Sequence, residues 1–247
     1  MKLFSCRPRT LWIALLYVAL VHAVLCLAIA KTNFLPLARK TLGLDPPEER
    51  SVSQYQAMLG WFVRDRQVPE NAVVLLGDSL MQDLDSTHLG REVHSFTLGG
   101  TTVLVLLEAM PGLGCLEHAK VAVLGVGAND LKYRSLAQIL ADYSLLLNAL
   151  PPELDVVVVP VLPVDERAPN VAARPYLSNR RIGELDHLLS ARALARPRTR
   201  RVDVRELLAP DGSLRSDLHS GDGWHLSDEG DVLLGRAIAR ELDALSR

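Results

Sequence analysis

The sequence predicts an α/β fold in which a parallel sheet of about five strands lies between two layers of helices. From residue 72 onward, short runs rich in valine and leucine alternate with longer stretches of helical periodicity. Most of these runs are continuously apolar and do not alternate strictly, which is typical of strands that are buried on both faces. Strand–helix alternation of this kind, joined by right-handed crossovers, gives a three-layer α/β/α sandwich with a central parallel sheet.

Five runs are predicted to be the strands of this sheet. They cover residues 72–76, 93–98, 121–124, 156–161 and 202–204. Helices are predicted near residues 101–110, 135–149, 177–195 and 228–245. In such a sheet, functional groups gather at the carboxyl ends of the strands, so the turns that follow the strands are the place to look for chemistry.

A different pattern fills the first thirty residues. Residues 11–30 contain no Asp, Glu, Lys or Arg, and twenty helical residues span about 30 Å, the thickness of the hydrocarbon core of a bilayer. We expect one transmembrane helix here, a signal anchor that follows a cytoplasmic n-region at 1–10. The alternatives are a signal peptide that is cleaved after Ala30, which would give a secreted protein, and a buried core helix, which the lack of amphipathicity disfavours.

The short N-terminal flank favours a single-pass protein whose main domain lies on the non-cytoplasmic side, periplasmic or extracellular. Charge alone does not fix this orientation, because basic residues flank the apolar run equally on both sides. Residues 31–70 are predicted to be a juxtamembrane linker that ends in an amphipathic helix at 49–65. This helix is expected to pack on the α/β domain, which covers residues 71–247.

The formal net charge of −2 is the sum of two unlike parts. Residues 1–31 carry +4 and the rest of the chain carries −6. The near-neutral balance of the whole chain and its 5% aromatic residues argue against binding to nucleic acid. Cys115 is the only cysteine of the domain, so no disulfide is expected within it. His219, Asp222 and His225 could form a metal site, but no further ligand set accompanies them, and we expect no metal and no other cofactor.

Four short motifs fall on turns that follow predicted strands or precede the last helix. They are Gly77-Asp78-Ser79, Gly99-Gly100, Gly127-Ala128-Asn129 and Asp222-Gly223-Trp224-His225. Each alone is as typical of a turn or a helix cap as of a functional site. Their combination and order resemble the SGNH/GDSL hydrolase superfamily, which is named for the Ser, Gly, Asn and His of four sequence blocks. The resemblance covers roughly residues 72–245 and implies a flavodoxin-like SGNH hydrolase fold.

The resemblance also implies a catalytic triad. Ser79 would be the nucleophile, because a serine hydroxyl attacks an ester once a base removes its proton. His225 would be that base and later the general acid. Asp222 would hold the imidazole tautomer and stabilise the imidazolium ion.

An oxyanion hole is implied beside the triad. Its donors would be the backbone N–H groups of Ser79 and Gly100 and the side-chain amide of Asn129. The second block departs from the family pattern, because residues 95–97 read Ser-Phe-Thr where many members have an asparagine. This departure leaves open whether Gly99 or Gly100 lines the hole.

The sequence thus predicts a membrane-anchored serine ester hydrolase that acts on acyl esters, such as O-acetyl groups of envelope glycans or small lipid esters. An O-acyltransferase that uses the same acyl-enzyme is one alternative, and a non-catalytic envelope assembly module built on the same fold is another. The absence of a long insertion favours small acyl groups. The acyl-chain length, the physiological substrate and the oligomeric state stay open.

Three other features have two interpretations each. Asp78 and Asp130 are interpreted as turn or cap residues, with a direct role in the chemistry as the alternative. Trp224 either lines the pocket or covers its loop. The basic stretch 192–205 is interpreted as a solvated helix end and loop, with contact to an anionic envelope polymer or a lipid headgroup as the alternative.

Overall fold

The computed structural model describes residues 17, 18, 20–22 and 52–245. In the segment 52–245, side chains are described from residue 58 onward. The chain forms two compact units, Met1–Glu49 and Arg50–Arg247. In the first unit, the described residues are helical and exposed. Within the described residues, no helix has the length and apolar character needed to cross a membrane. Most of the expected anchor at 11–30 and all of the linker at 31–51 lie outside the described residues.

Five parallel strands form the sheet of the second unit, in the order β2-β1-β3-β4-β5. They are β1 (Val73–Gly77), β2 (His94–Thr97), β3 (Val121–Gly125), β4 (Asp155–Val158) and β5 (Thr199–Arg201). The register between β1 and β3 places Gly77 beside Gly125, so the carboxyl ends of these two strands lie next to each other inside the sheet. The predicted parallel sheet of about five strands is confirmed.

Eight helices of the described residues precede, connect or follow the strands. They are α1 (Val52–Asp65), α2 (Ser79–Gln82), α3 (Ser86–Leu89), α4 (Val103–Ala109), α5 (Leu136–Ala149), α6 (Pro169–Ala172), α7 (Asn179–Leu194) and α8 (Asp228–Leu245). Short 3₁₀ turns lie at Met110–Gly112, Gly114–Glu117, Asn129–Lys132, Pro175–Leu177 and Arg205–Leu207.

Alternate residues of the central strands β1, β3 and β4 face two separate hydrophobic cores, which makes the fold three-layered. Val74 of β1 packs in one core with Ile139 of α5 and Leu185 of α7. Leu75, the next residue of β1, packs in the other core with Ile238 of α8. All five side chains are fully buried.

Helix α1 covers part of the first core. Met58 and Trp61 are buried in it, and the Trp61 ring meets Phe96 of β2 edge to face at a centroid distance of 6.4 Å. The expectation that this helix packs on the α/β domain is confirmed, and the compact unit therefore begins at Arg50.

The edge strand β5 corrects the strand predicted at 202–204. Pairing with β4 runs from Thr199 to Arg201, and the N–H of Val202 makes one more bond, to the carbonyl of Val158, at 2.9 Å. The prediction followed Val202 and Val204, which are buried but lie after the strand, and it missed the polar residues that pair with β4. Strand β4 also ends earlier than predicted, because Pro160 has no N–H to donate to a neighbour.

Candidate active site

Strand β1 delivers Ser79 to the carboxyl edge of the sheet. The side chain of Asp78 caps α2 by accepting the N–H of Leu80 at 3.0 Å, and Ser79 is the first residue of that helix. Gly77 permits this tight turn, because a Cβ at this position would overlap the carbonyl oxygen of Gly125. The hydroxyl of Ser79 is thereby fixed at the point where β1 meets β3.

The loop before α8 brings Asp222 and His225 to the same place. One carboxylate oxygen of Asp222, Oδ1, accepts the backbone N–H groups of Trp224 and His225, each at 2.9 Å. The other, Oδ2, lies 2.5 Å from Nδ1 of His225. The far ring nitrogen of His225, Nε2, lies 3.0 Å from Oγ of Ser79 across 146 residues of sequence. These contacts form one chain from serine through histidine to aspartate.

The hydrogen bonds also determine which atoms of Asp222 and His225 carry protons. Burial disfavours the ionised form of Asp222, but the bonds from Trp224 and His225 outweigh it, and the pKa of Asp222 lies below its ordinary value. An ionised Asp222 draws the ring proton of His225 to Nδ1. The lone pair on Nε2 is then available to accept the proton of Ser79.

Two glycines compete for the second position of the predicted oxyanion hole. The N–H of Gly99 donates to Oε1 of Gln82 at 2.7 Å. Gly100 adopts a φ of +79°, in the left-handed region that suits glycine. The N–H of Gly99 is thus already used within the fold, which weakens its case as an oxyanion-hole donor.

Asn129 lines the pocket together with Ser79. Its amide nitrogen, Nδ2, donates to Oδ2 of Asp78 at 3.3 Å and to the carbonyl of Thr101 at 3.2 Å. These two bonds fix the orientation of the amide. Donation from Asn129 to a reaction intermediate therefore requires that one bond is shared or exchanged.

Asp78 and Asp130 act as caps, which confirms the interpretation from the sequence. Asp130 is buried and accepts the N–H of Val103 at the start of α4 at 2.9 Å. Burial and the neighbouring charge of Asp130 together raise the pKa of Asp78 to about 7, against the hydrogen bonds from Leu80 and Asn129.

A small pocket of about 110 Å³ opens at Ser79 and Asn129. Its walls are largely apolar and come from Leu162, Val164, Leu177 and Ile182. The remaining lining residues are Asp78, Leu80, Ala128, Lys132, Tyr176 and Trp224. Trp224 therefore lines the pocket, which resolves the two interpretations of this residue.

Trp224 also contacts the triad, which the sequence did not indicate. Its indole N–H donates to Nε2 of His225 at 2.5 Å, on the same nitrogen that faces Ser79. The guanidinium of Arg174 lies over the indole ring at 5.2 Å from the centroid. In the structure, the hydroxyl of Ser79 and the indole N–H thus share one acceptor.

His219 is a second residue whose part in the site was missed. Its Nδ1 accepts the N–H groups of Gly221 and Gly223 at 3.0 and 3.2 Å, and its Nε2 lies 3.6 Å from Oδ2 of Asp165. These contacts order the loop that carries Asp222 and His225. The one signal in the sequence was the placement of His219 at the start of a glycine-rich loop.

The basic stretch 192–205 is used within the fold. Arg200 pairs with Glu241 at 2.7 Å and Arg201 with Asp186 at 2.8 Å. Arg196 donates to the carbonyl groups of Leu154 and Pro151. These contacts tie the stretch to the domain itself, which goes beyond the predicted solvated helix end and loop.

The chain matches a known protein family over most of its length. Residues 74–233 match the model of the GDSL-like Lipase/Acylhydrolase family, a segment that includes all four motifs. No protein with a curated description matches the chain.

Solved structures share the fold at low sequence identity. The lipase/acylhydrolase from Enterococcus faecalis is 20% identical with a TM-score of 0.59, and the alignment covers 71% of this chain and 96% of that one. A GDSL-like lipase from Bacteroides thetaiotaomicron is 14% identical with a TM-score of 0.63, covering 76% and 98%. A carbohydrate acetylesterase from Sinorhizobium meliloti is 20% identical with a TM-score of 0.55, covering 71% and 100%. The chain therefore belongs to the GDSL-like lipase/acylhydrolase family and is an esterase of the SGNH type.

Proposed function

We propose that the protein hydrolyses short-chain acyl esters through Ser79, His225 and Asp222. The observation that carries this proposal is the continuous hydrogen-bond chain from Oγ of Ser79 to the carboxylate of Asp222. It has the connectivity that activates a serine nucleophile.

In the first half of the reaction, Nε2 of His225 accepts the proton of Ser79 while Oγ bonds to the carbonyl carbon of the ester. The tetrahedral intermediate collapses, the bond to the alcohol oxygen breaks, and His225 returns its proton to the leaving alcohol. In the second half, a water molecule gives its proton to His225 and attacks the acyl-enzyme. Release of the carboxylic acid restores the hydroxyl of Ser79.

The negative charge of the intermediate requires donors placed in advance. The backbone N–H groups of Ser79 and Gly100 and the amide of Asn129 are proposed to supply them. Loss of one such donor typically costs about 10²–10³ in kcat. Replacement of Asn129 by Ala should therefore lower kcat by this factor.

The pocket favours a short acyl group. Its volume of about 110 Å³ is below the roughly 150 Å³ of an apolar cavity that holds benzene. We propose acetyl to butyryl esters, with O-acetyl groups of envelope glycans and small lipid esters as candidate substrates. The likeness in fold to a carbohydrate acetylesterase is compatible with the first of these.

We further propose that residues 11–30 hold the domain at a membrane on its non-cytoplasmic side. The support is the uncharged run of twenty residues and the charge of +4 on residues 1–31. If full-length protein stays in the membrane pellet after carbonate extraction, the anchor is supported. Release of a soluble product that begins at Lys31 would instead indicate cleavage after Ala30.

The decisive experiment compares Ser79→Ala with Ser86→Ala, which changes an exposed serine on α3. Ser79→Ala should lower kcat on p-nitrophenyl acetate by at least about 10³-fold and abolish labelling by a fluorophosphonate. Ser86→Ala should leave both unchanged. Full activity in Ser79→Ala would refute the mechanism, and acyl transfer to a glycan hydroxyl in excess of hydrolysis would identify a transferase.

A further inference from the structure

Cationic side chains gather around the pocket. Lys132 lines it together with Ser79 and Trp224. The guanidinium of Arg174 lies on the indole face of Trp224. Arg181 donates to the carbonyl of Leu131, the residue before Lys132, at 3.4 Å. We refer to Lys132, Arg174 and Arg181 as the rim cations.

The rim cations differ from most arginines of the domain in their partners. Elsewhere, arginine side chains pair with carboxylates, as Arg200 does with Glu241. Within residues 58–245, the contacts of the rim cations are instead aromatic rings and backbone carbonyls. Their positive charge is therefore not neutralised by a carboxylate of the described part of the chain.

The carboxylates near the pocket are engaged elsewhere. Asp78 is the acidic residue of the lining, and it is buried under the bonds from Leu80 and Asn129. Burial raises its pKa and so favours its uncharged form. Asp222 is held by its own loop and by His225. The pocket mouth is thus locally positive in a domain whose formal charge is negative.

We infer that the ester hydrolysed at Ser79 carries a carboxylate or phosphate group, which binds Lys132 and Arg174. This inference rests on the proposed ester hydrolysis. The indole of Trp224 connects the two halves of the site, because it contacts both His225 and the guanidinium of Arg174. An anion at the rim would lie beside an ester seated on Ser79.

The test compares an anionic ester with its neutral counterpart, 4-acetoxybenzoate with methyl 4-acetoxybenzoate, on the full-length protein. The measured quantity is the ratio of their kcat/KM values, since the difference in intrinsic reactivity cancels when variants are compared. Lys132→Gln should lower the ratio roughly threefold to tenfold, and the double variant with Arg174→Gln should lower it further. High salt should lower the wild-type ratio in the same direction.

Lys120→Gln is the matched control. Lys120 is exposed and directly precedes β3, at the opposite edge of the sheet from Ser79, and its removal should leave the ratio unchanged. An equal ratio in wild type, Lys132→Gln and the double variant would overturn the inference while leaving ester hydrolysis intact. Failure of wild type to hydrolyse either ester would instead refute the proposed function. A third substrate, 4-acetoxyphenyl phosphate, distinguishes phosphate from carboxylate as the preferred anion.

Discussion

A methyl group added at Gly223 should disable the site while the fold survives. Gly223 has a φ of +90°, so alanine there carries a backbone strain of about 1–2 kcal/mol. The new Cβ would also lie 2.8 Å from Cγ2 of Val171 and 3.0 Å from the carbonyl oxygen of Asp165, and closer still to Cβ of Ala168. Relief of such overlap costs about 1–3 kcal/mol more.

The clash should displace the catalytic His225. Ordinary carbon contacts are about 3.5–4.0 Å, so the loop must move by about 1 Å, two residues before His225. A displacement of this size typically costs about 10² in rate. Gly223→Ala should therefore lose about 100-fold in kcat/KM on p-nitrophenyl acetate.

Gly221→Ala supplies a matched control in the same loop. Gly221 has a φ of +97°, so alanine there suffers a similar strain, but within the described residues a Cβ would meet no heavy atom within 4 Å. This variant should lose about 1–2 kcal/mol of stability in urea unfolding and keep most of its activity. Equal kcat/KM values for the two variants would refute the role assigned to the clash.

Three further predictions concern the triad and its neighbours. Asp222→Asn should lower kcat by about 10⁴, because an amide no longer enforces the tautomer of His225 that leaves Nε2 free; steady-state kinetics measures this. Because the pKa of Asp78 is raised from 3.8 to about 7, the folded protein keeps a proton that the unfolded chain releases. The free energy of unfolding should therefore fall as the pH rises through this window, by about 1.4 kcal/mol per unit, and urea unfolding of Asp78→Asn should lack this slope. Trp224→Phe removes the indole N–H from Nε2 of His225 and should speed reaction of Ser79 with a fluorophosphonate by about 2–10-fold.

Each of these has a clear contrary outcome. A kcat in Asp222→Asn within tenfold of wild type would show that the carboxylate does not set the tautomer. An unchanged pH slope in Asp78→Asn would assign the slope to another group. A slower or unchanged reaction of Trp224→Phe would show that the indole does not compete with Ser79 for the acceptor.

The central strands were predictable because their own residues form continuous apolar runs. Val74, Leu75 and Leu76 are buried on both faces of the sheet, and such burial selects a continuous apolar run. The edge strand β5 had no such signal. Its Thr199–Arg201 is polar and is held by backbone pairing with β4 and by distant carboxylates such as Glu241, which no local pattern encodes.

In the candidate site, too, some residues were predictable from the sequence and others were not. The motif residues Ser79, Asn129 and His225 were predicted from the resemblance to a family, and the structure brings them to one pocket edge. The contact of the Trp224 indole with His225 and the bonds of His219 arise from the conformation of one loop. Sequence spacing does not determine that conformation, because glycines at 221 and 223 allow many others.

The loop itself accounts for the alignment of residues that lie far apart in sequence. The carbonyl of Gly223 accepts the N–H of Asp165 at 2.8 Å, while its N–H donates to Nδ1 of His219. Because His219 accepts two N–H groups at Nδ1, its remaining ring proton lies on Nε2, facing Asp165. Both sides of the Gly223 peptide are thus tied to groups outside the triad. His225 follows two residues later with its own N–H bound to Asp222. The backbone bonds of the loop, together with the contacts of the imidazole with the Asp222 carboxylate and the Trp224 indole, therefore set the position of its ring over Ser79.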